Sequence, residues 1–122
     1  MSIRVGILGA SDRPERYACM AALRLQEAGH ELVLVNPSRE MMLGQPCWSC
    51  LSEPGVPIHT ITVYVRPERL ESHLFGIGRC APSRIIFNPG SEAPFHYPTL
   101  KSQGIEVVEA CTLVMLAQGT FC

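Results

Sequence analysis

Apolar positions along the chain follow two rhythms, one continuous and one helical. Ile3–Leu8 alternates little and is mostly apolar, as a strand covered on both faces should be. Ala18, Ala21, Ala22, Leu25 and Ala28 then recur at helical spacing, with Arg24, Gln26 and Glu27 on the opposite side. Gly29 supplies a left-handed stop. Glu31–Val35 reads as a second short strand, closed by Asn36-Pro37. From Ser38 to Pro57 the pattern weakens, punctuated by Gly44, Pro46, Pro54 and Gly55, so a connecting loop with at most one helical turn is expected. Ile58–Val65 is β-branched and strand-like. Pro67 suits a first helical position, and Leu70, Leu74 and Ile77 form the apolar stripe of a helix that frays at Gly76 and Gly78. Arg84–Phe87 is a fourth strand. Pro94 and Pro98 make the next helix irregular, which places it mainly at Thr99–Gln103 with Gly104 as stop. Ile105–Ala110 is the fifth strand, and Cys111–Cys122 a tail, apolar at Leu113–Leu116, that packs back on the domain.

Strands alternating with helices predict an α/β, Rossmann-like fold: a parallel five-stranded sheet with helices on both faces. Right-handed crossovers and a switch after the first βαβ unit favour the order 3-2-1-4-5. Residues 1–122 make one domain. Composition narrows the function classes. Hydrophobic residues at 47% and charged ones at 17% describe a globular chain, and a net charge of -1 gives no bulk attraction to nucleic acid or to an anionic membrane. No apolar run approaches the roughly 20 residues of a membrane helix. The first strand follows Met1 and Ser2 with no basic region or cleavage signal, so a cytoplasmic protein with free thiols at its six cysteines is expected.

In such a sheet, ligands sit outside the carboxyl ends of the strands, at the switch point. The stretch R-V-G-I-L-G-A-S-D-R-P-E-R, residues 4–16, runs from strand through a small-residue turn into a helix start. That arrangement binds phosphate through backbone N–H groups. Gly9 permits the tight turn, Ala10 and Ser11 keep side chains small beside a pyrophosphate, and Arg13 or Arg16 adds charge-assisted bonds. The scheme requires amides at this corner that are free of internal partners. At the end of the second strand an NAD site usually carries a carboxylate for the ribose hydroxyls. Here Val35-Asn36-Pro37-Ser38 offers none, and Arg39 beyond can meet a ribose phosphate, which leaves NADP or coenzyme A. No paired carboxylates, Ser-His-Asp set or basic-aromatic interleaving is present in the pattern.

The segments G-I-L-G-A-S-D-R-P-E-R, V-L-V-N-P-S-R, L-G-Q-P-C-W-S-C-L and V-Y-V-R-P-E together resemble the small single-domain CoA-binding proteins related to the succinyl-CoA ligase alpha subunit. N-P-G-S-E is similar to the ligase's own turn after its fourth strand. The resemblance implies CoA or acyl-CoA as ligand. Gly9, Ala10, Ser11 and Arg16 would face its diphosphate, and Asn36, Pro37 and Arg39 its adenosine. Val65, Arg66 and the turn holding Asn88 and Gly90 would line the pantetheine path. It also implies a binding module in preference to a catalyst. The ligase's phosphohistidine domain would begin where this sequence ends, and His30, His59, His73 and His96 match no catalytic position.

Three rival functions remain open at this point: an NADP-type nucleotide site, a redox pair at Cys47-Trp48-Ser49-Cys50, and a protein-interaction module with a vestigial cleft. A redox pair normally opens a helix, which this irregular segment does not promise, and a zinc site would need two further ligands at close spacing. No metal is expected. For the interaction module, the apolar stretch Leu113–Phe121 would cover a partner, for instance in a homodimer.

Overall fold

A computed structural model describes residues 2–122 of the chain. β1 (Arg4–Leu8), α1 (Tyr17–Glu27) and β2 (Glu31–Val35) form the first βαβ unit, with β1 and β2 paired in parallel. A hairpin of β3 (Met41–Met42) and β4 (Gln45–Trp48) follows. Then come β5 (Thr60–Val63), α2 (Pro67–Leu70), a 3-10 turn (Glu71–His73) and α3 (Leu74–Cys80). β6 (Arg84–Phe87), α4 (Tyr97–Ser102), β7 (Glu106–Glu109) and α5 (Thr112–Gln118) complete the chain.

The α/β class with a mostly parallel sheet is observed, but the five-stranded order 3-2-1-4-5 is not. The sheet has 7 strands in the order β3-β4-β2-β1-β5-β6-β7. The strand expected third, around residues 58–65, does not lie outside β2. It pairs with β1 on the far side, Val5 opposite Thr60 through Leu8 opposite Val63. The place outside β2 belongs to β4, which pairs with it at Leu34–Cys47 and Val35–Trp48. Counted by its parallel strands alone, the sheet follows the doubly wound order with β4 third and β5 fourth.

The hairpin arises where a loop was expected. Leu43 and Gly44 have φ of 52° and 75°, the two positive values a type I′ turn requires. The usual signal is Asn-Gly, and Leu at the first position hides it. The tail is likewise more than a tail. Thr112–Gln118 is helical, ends at the left-handed Gly119, and packs against α1. α4 begins at Tyr97, earlier than expected, because Pro98 lies in its first turn, where a missing N–H costs nothing.

Alternation along the strands sends side chains to two cores. Val5, Ile7, Leu34 and Ile86 meet α1 on one face together with Phe121. Leu8, Val35, Ile61, Val63, Ile85 and Phe87 meet α2, α3 and α4 on the other. Full burial of a side chain such as Ile7, Leu25 or Leu34 contributes about 1.5–3 kcal/mol. Gly6 admits this packing: a Cβ there would lie 2.8 Å from Leu51 Cδ2. Among the described residues, no helix is long and apolar enough to cross a membrane.

Candidate nucleotide-binding edge

α1 leaves β1 toward one face of the sheet, while α2 leaves β5 toward the other. The crossover direction therefore reverses between two neighbouring strands, and their carboxyl ends form the topological switch point, where sheets of this kind take ligands. Gly9 sits there with φ +90, and a Cβ on it would come within 2.9 Å of Val65 Cγ1 and 3.1 Å of the Tyr64 carbonyl carbon. Only glycine satisfies both the backbone angle and this approach.

The donors of the corner are divided in a way the sequence did not reveal. The amides of Gly9 and Ala10 both donate to the Val35 carbonyl, at 3.1 and 3.0 Å. They hold the turn against β2 and are not the free donors expected of them. Ala10 itself is buried beneath α1. Arg13 N donates to Ser11 Oγ at 3.1 Å, and Arg16 N to the Arg13 carbonyl at 3.0 Å. Arg16 is the N-cap of α1 in extended conformation, with no side-chain cap bond and no acidic residue in the first turn. Among the described residues, the amides of Ser11, Tyr17 and Ala18 meet no acceptor. The start of the 11-residue helix thus keeps N–H groups that no side chain caps. Arg13 and Arg16 stand exposed beside them.

After β2, Asn36 acts as a strut. Its Nδ2 donates to the Ala10 carbonyl at 3.0 Å, and its Oδ1 accepts from Ser38 N at 2.9 Å. Pro37 is exposed next to it. Arg39 is not free: it grips Asp12 with two bonds, Nη1 to Oδ1 at 3.0 Å and Nη2 to Oδ2 at 2.7 Å. The guanidinium holds the Asp12 carboxyl below the usual carboxylate range. Asp12 was legible in the motif as a residue but not as a partner, because 27 positions separate it from Arg39.

After β5, Tyr64 N donates to the Leu8 carbonyl at 2.8 Å, Val65 roofs Gly9, and Arg66 is exposed as the extended N-cap of α2. Burial pushes the Tyr64 hydroxyl up to about 12, and it has no hydrogen-bond partner among the described residues.

After β6, Asn88 is not a ligand-facing side chain. It is 3% exposed and fully engaged: Nδ2 donates to Thr62 Oγ1 at 2.7 Å and to the Val63 carbonyl at 2.9 Å, while Oδ1 accepts from Thr112 N at 2.8 Å. It locks β5, β6 and α5 together. Gly90, φ +93, donates its amide to Glu92 Oε1 at 2.8 Å and so offers no spare donor.

The remaining chemistry lies elsewhere. His30 and His73 are buried, and desolvation lowers the pKa of each. Cys47 is buried in β4, where desolvation pushes its thiol up, the reverse of what an attacking thiolate needs. Cys50 lies beyond the strand in a turn that the Glu53 carboxylate caps through Ser49 N and Cys50 N, at 2.9 and 3.2 Å. Two surface cavities lie away from the edge: about 330 Å³ beside Phe75, Arg79 and Gln103, and about 170 Å³ beside His30 and Phe121. Among the described residues, no three His, Cys, Asp or Glu side chains gather as a metal site.

Comparison with known proteins bears on the family and the fold. A Bacillus subtilis (strain 168) protein, uncharacterized protein YneT, is 39% identical over 69 residues, 57% of this chain and 51% of that protein, so the match spans about half the length of this curated relative. A crystal structure of an uncharacterized protein, 38% identical, superposes with a TM-score of 0.91 over 99% of both chains. A Thermus thermophilus structure, cell-free ID.343, is 27% identical with a TM-score of 0.88, over 98% of this chain and 90% of that one. The model of the CoA binding domain family matches residues 4–117, nearly the whole chain, and the protein belongs to that family.

Proposed function

We propose that this chain binds coenzyme A or an acyl-CoA as an accessory module rather than as a catalyst. The observation that carries the proposal is the uncapped start of α1, where the amides of Ser11, Tyr17 and Ala18 lack acceptors beside two exposed arginines. A diphosphate supplies both the charge and the oxygens such a corner lacks. In this arrangement Ser11, Arg13 and Arg16 hold the diphosphate, and Gly9 and Ala10 contribute by shaping the turn. Asn36 and Pro37 border the adenosine, and Arg39 reaches its ribose phosphate. Val65 and Arg66 line the pantetheine arm, with the backbone near Asn88 and Gly90 beyond. The setting we propose is the cytoplasm, with the chain acting singly or as a homodimer.

Arg39 at the end of β2 supports a second reading, an NADP-type nucleotide, and the same experiment separates the two. Calorimetric titration and thermal shift with CoA, acetyl-CoA, NADP and NAD should show binding of the CoA compounds alone. A ligand at about one hundred times its Kd stabilises by roughly 2.7 kcal/mol, a shift of several degrees for a domain of this size. A melting curve unmoved by millimolar CoA would refute the assignment.

A further inference from the structure

The Asp12–Arg39 pair has a geometry that a random surface contact lacks. It joins the turn after β1 to the turn after β2 at the carboxyl edge of the sheet, through two parallel bonds of 3.0 and 2.7 Å. Arg39 Nη2 also donates to the Met41 carbonyl at 3.3 Å, which fixes the guanidinium in place. Both side chains remain reachable from solvent, at 42% and 37% exposure. A fork engaged in this way presents to a carboxylate the same edge it would present to a phosphate. Asp12 therefore occupies the guanidinium edge that a phosphomonoester bound by Arg39 would use, and it carries the same sign of charge.

We propose that Asp12 is a specificity-determining residue: its carboxylate competes with the ribose phosphate of the ligand for Arg39, and so lowers affinity for CoA relative to the same molecule lacking that phosphate. This rests on the CoA assignment above and adds to it a named competitor. On binding, the phosphate displaces Asp12 from one or both guanidinium nitrogens. The carboxylate then faces a group of like charge, which the ion pair had shielded. A ligand ending in an unphosphorylated ribose leaves the pair intact. The device is one of negative selection, set by a residue that touches the ligand's anchor.

The test compares CoA with 3′-dephospho-CoA, which has the same diphosphate, adenosine and pantetheine. Kd values are measured by calorimetry at low ionic strength for the wild type, Asp12→Asn, Arg39→Met and the double variant, with melting temperatures confirming that each folds. In Asp12→Asn, CoA should bind about fivefold more tightly, the scale of an exposed ion pair, while dephospho-CoA stays within about twofold. In the Arg39→Met background, where there is no guanidinium to compete for, the Asp12 change should retain only the gain from relieved like-charge repulsion, within about twofold, and added salt should shrink the gain in both backgrounds. Equal tightening of both ligands would place Asp12 at the diphosphate and overturn the inference. So would CoA binding that Asp12→Asn leaves unchanged. Failure of both ligands to bind any of the four proteins overturns the CoA assignment itself, and the inference with it.

Discussion

Two corners at the carboxyl edge look alike in sequence and differ in what they leave open. Each follows a buried strand with a left-handed glycine and a serine, Gly9-Ala10-Ser11 after β1 and Gly90-Ser91 after β6. In the second, the polar groups are closed internally. Asn88 makes three bonds, and Ser91 Oγ donates to the Val63 and Asn88 carbonyls at 3.1 and 2.8 Å. Ala93 N donates to the Tyr97 hydroxyl at 3.2 Å, and that hydroxyl donates to Glu109 Oε2 at 2.8 Å. In the first, two amides are anchored to Val35, Arg13 N and Arg16 N bond within the turn, and the amides of Ser11, Tyr17 and Ala18 are left without acceptors among the described residues. One corner is a joint and the other a socket. Composition alone does not separate them; the destination of each N–H does.

The strongest way to break this comparison is Gly9→Val. A Cβ at φ +90 collides with Val65 and the Tyr64 backbone, so a loss of about 3 kcal/mol or more is expected by denaturant unfolding, together with loss of the CoA-induced thermal shift. Asn88→Ala should cost about 2–3 kcal/mol, since Thr62, Val63 and Thr112 lose a buried partner. Its CoA affinity, measured on the folded fraction, should nevertheless move by less than about twofold. A tenfold loss there would make the second corner a socket as well. Arg16→Ala should show the opposite pattern, with melting temperature unchanged and CoA affinity lower by about tenfold, the scale of one charge-assisted bond.

Acidification should produce the smallest effect and separates fold from site again. His30 and His73 have folded pKa values depressed by burial, so the unfolded chain binds more protons near neutrality. Stability is therefore complete above the ordinary histidine pKa of about 6.5 and falls as pH drops through and below it. Melting at pH 5.5 should come a few degrees below that at pH 7.5. Asp12 and Glu53, with lowered pKa values, keep their contribution in this window and lose it only further down. Binding of dephospho-CoA should not change between these pH values, since backbone amides do not titrate. A histidine-like inflection in its Kd would place an imidazole at the socket.

Much of the framework was legible. β2 and β6 lie where apolar runs placed them, and α1 follows the alanine stripe to its stop at Gly29. The hairpin and α5 were not legible for local reasons. β3 has 2 residues, Pro46 stands inside β4, and Leu43 occupies a left-handed position that favours glycine or asparagine. α5 is 7 residues long, too short for its stripe to stand out from a merely apolar tail. At the site, residue types were legible and allegiances were not. Asn36, Arg39 and Asn88 read as residues bordering a ligand, yet each has a partner 24–27 positions away in the chain. Such partners become neighbours only once the sheet order is known.

The β3–β4 hairpin has a bearing on how copies of this molecule can meet. It ends the sheet on one side with a strand of only 2 residues, and β7, the opposite border, carries exposed Glu106 and Glu109. A stub and a short strand with a glutamate at each end are both poor templates for continuing the ladder into a neighbouring molecule. Association between copies is thereby steered away from strand-to-strand joining, the route that leads to open-ended fibres, and toward helices and loops.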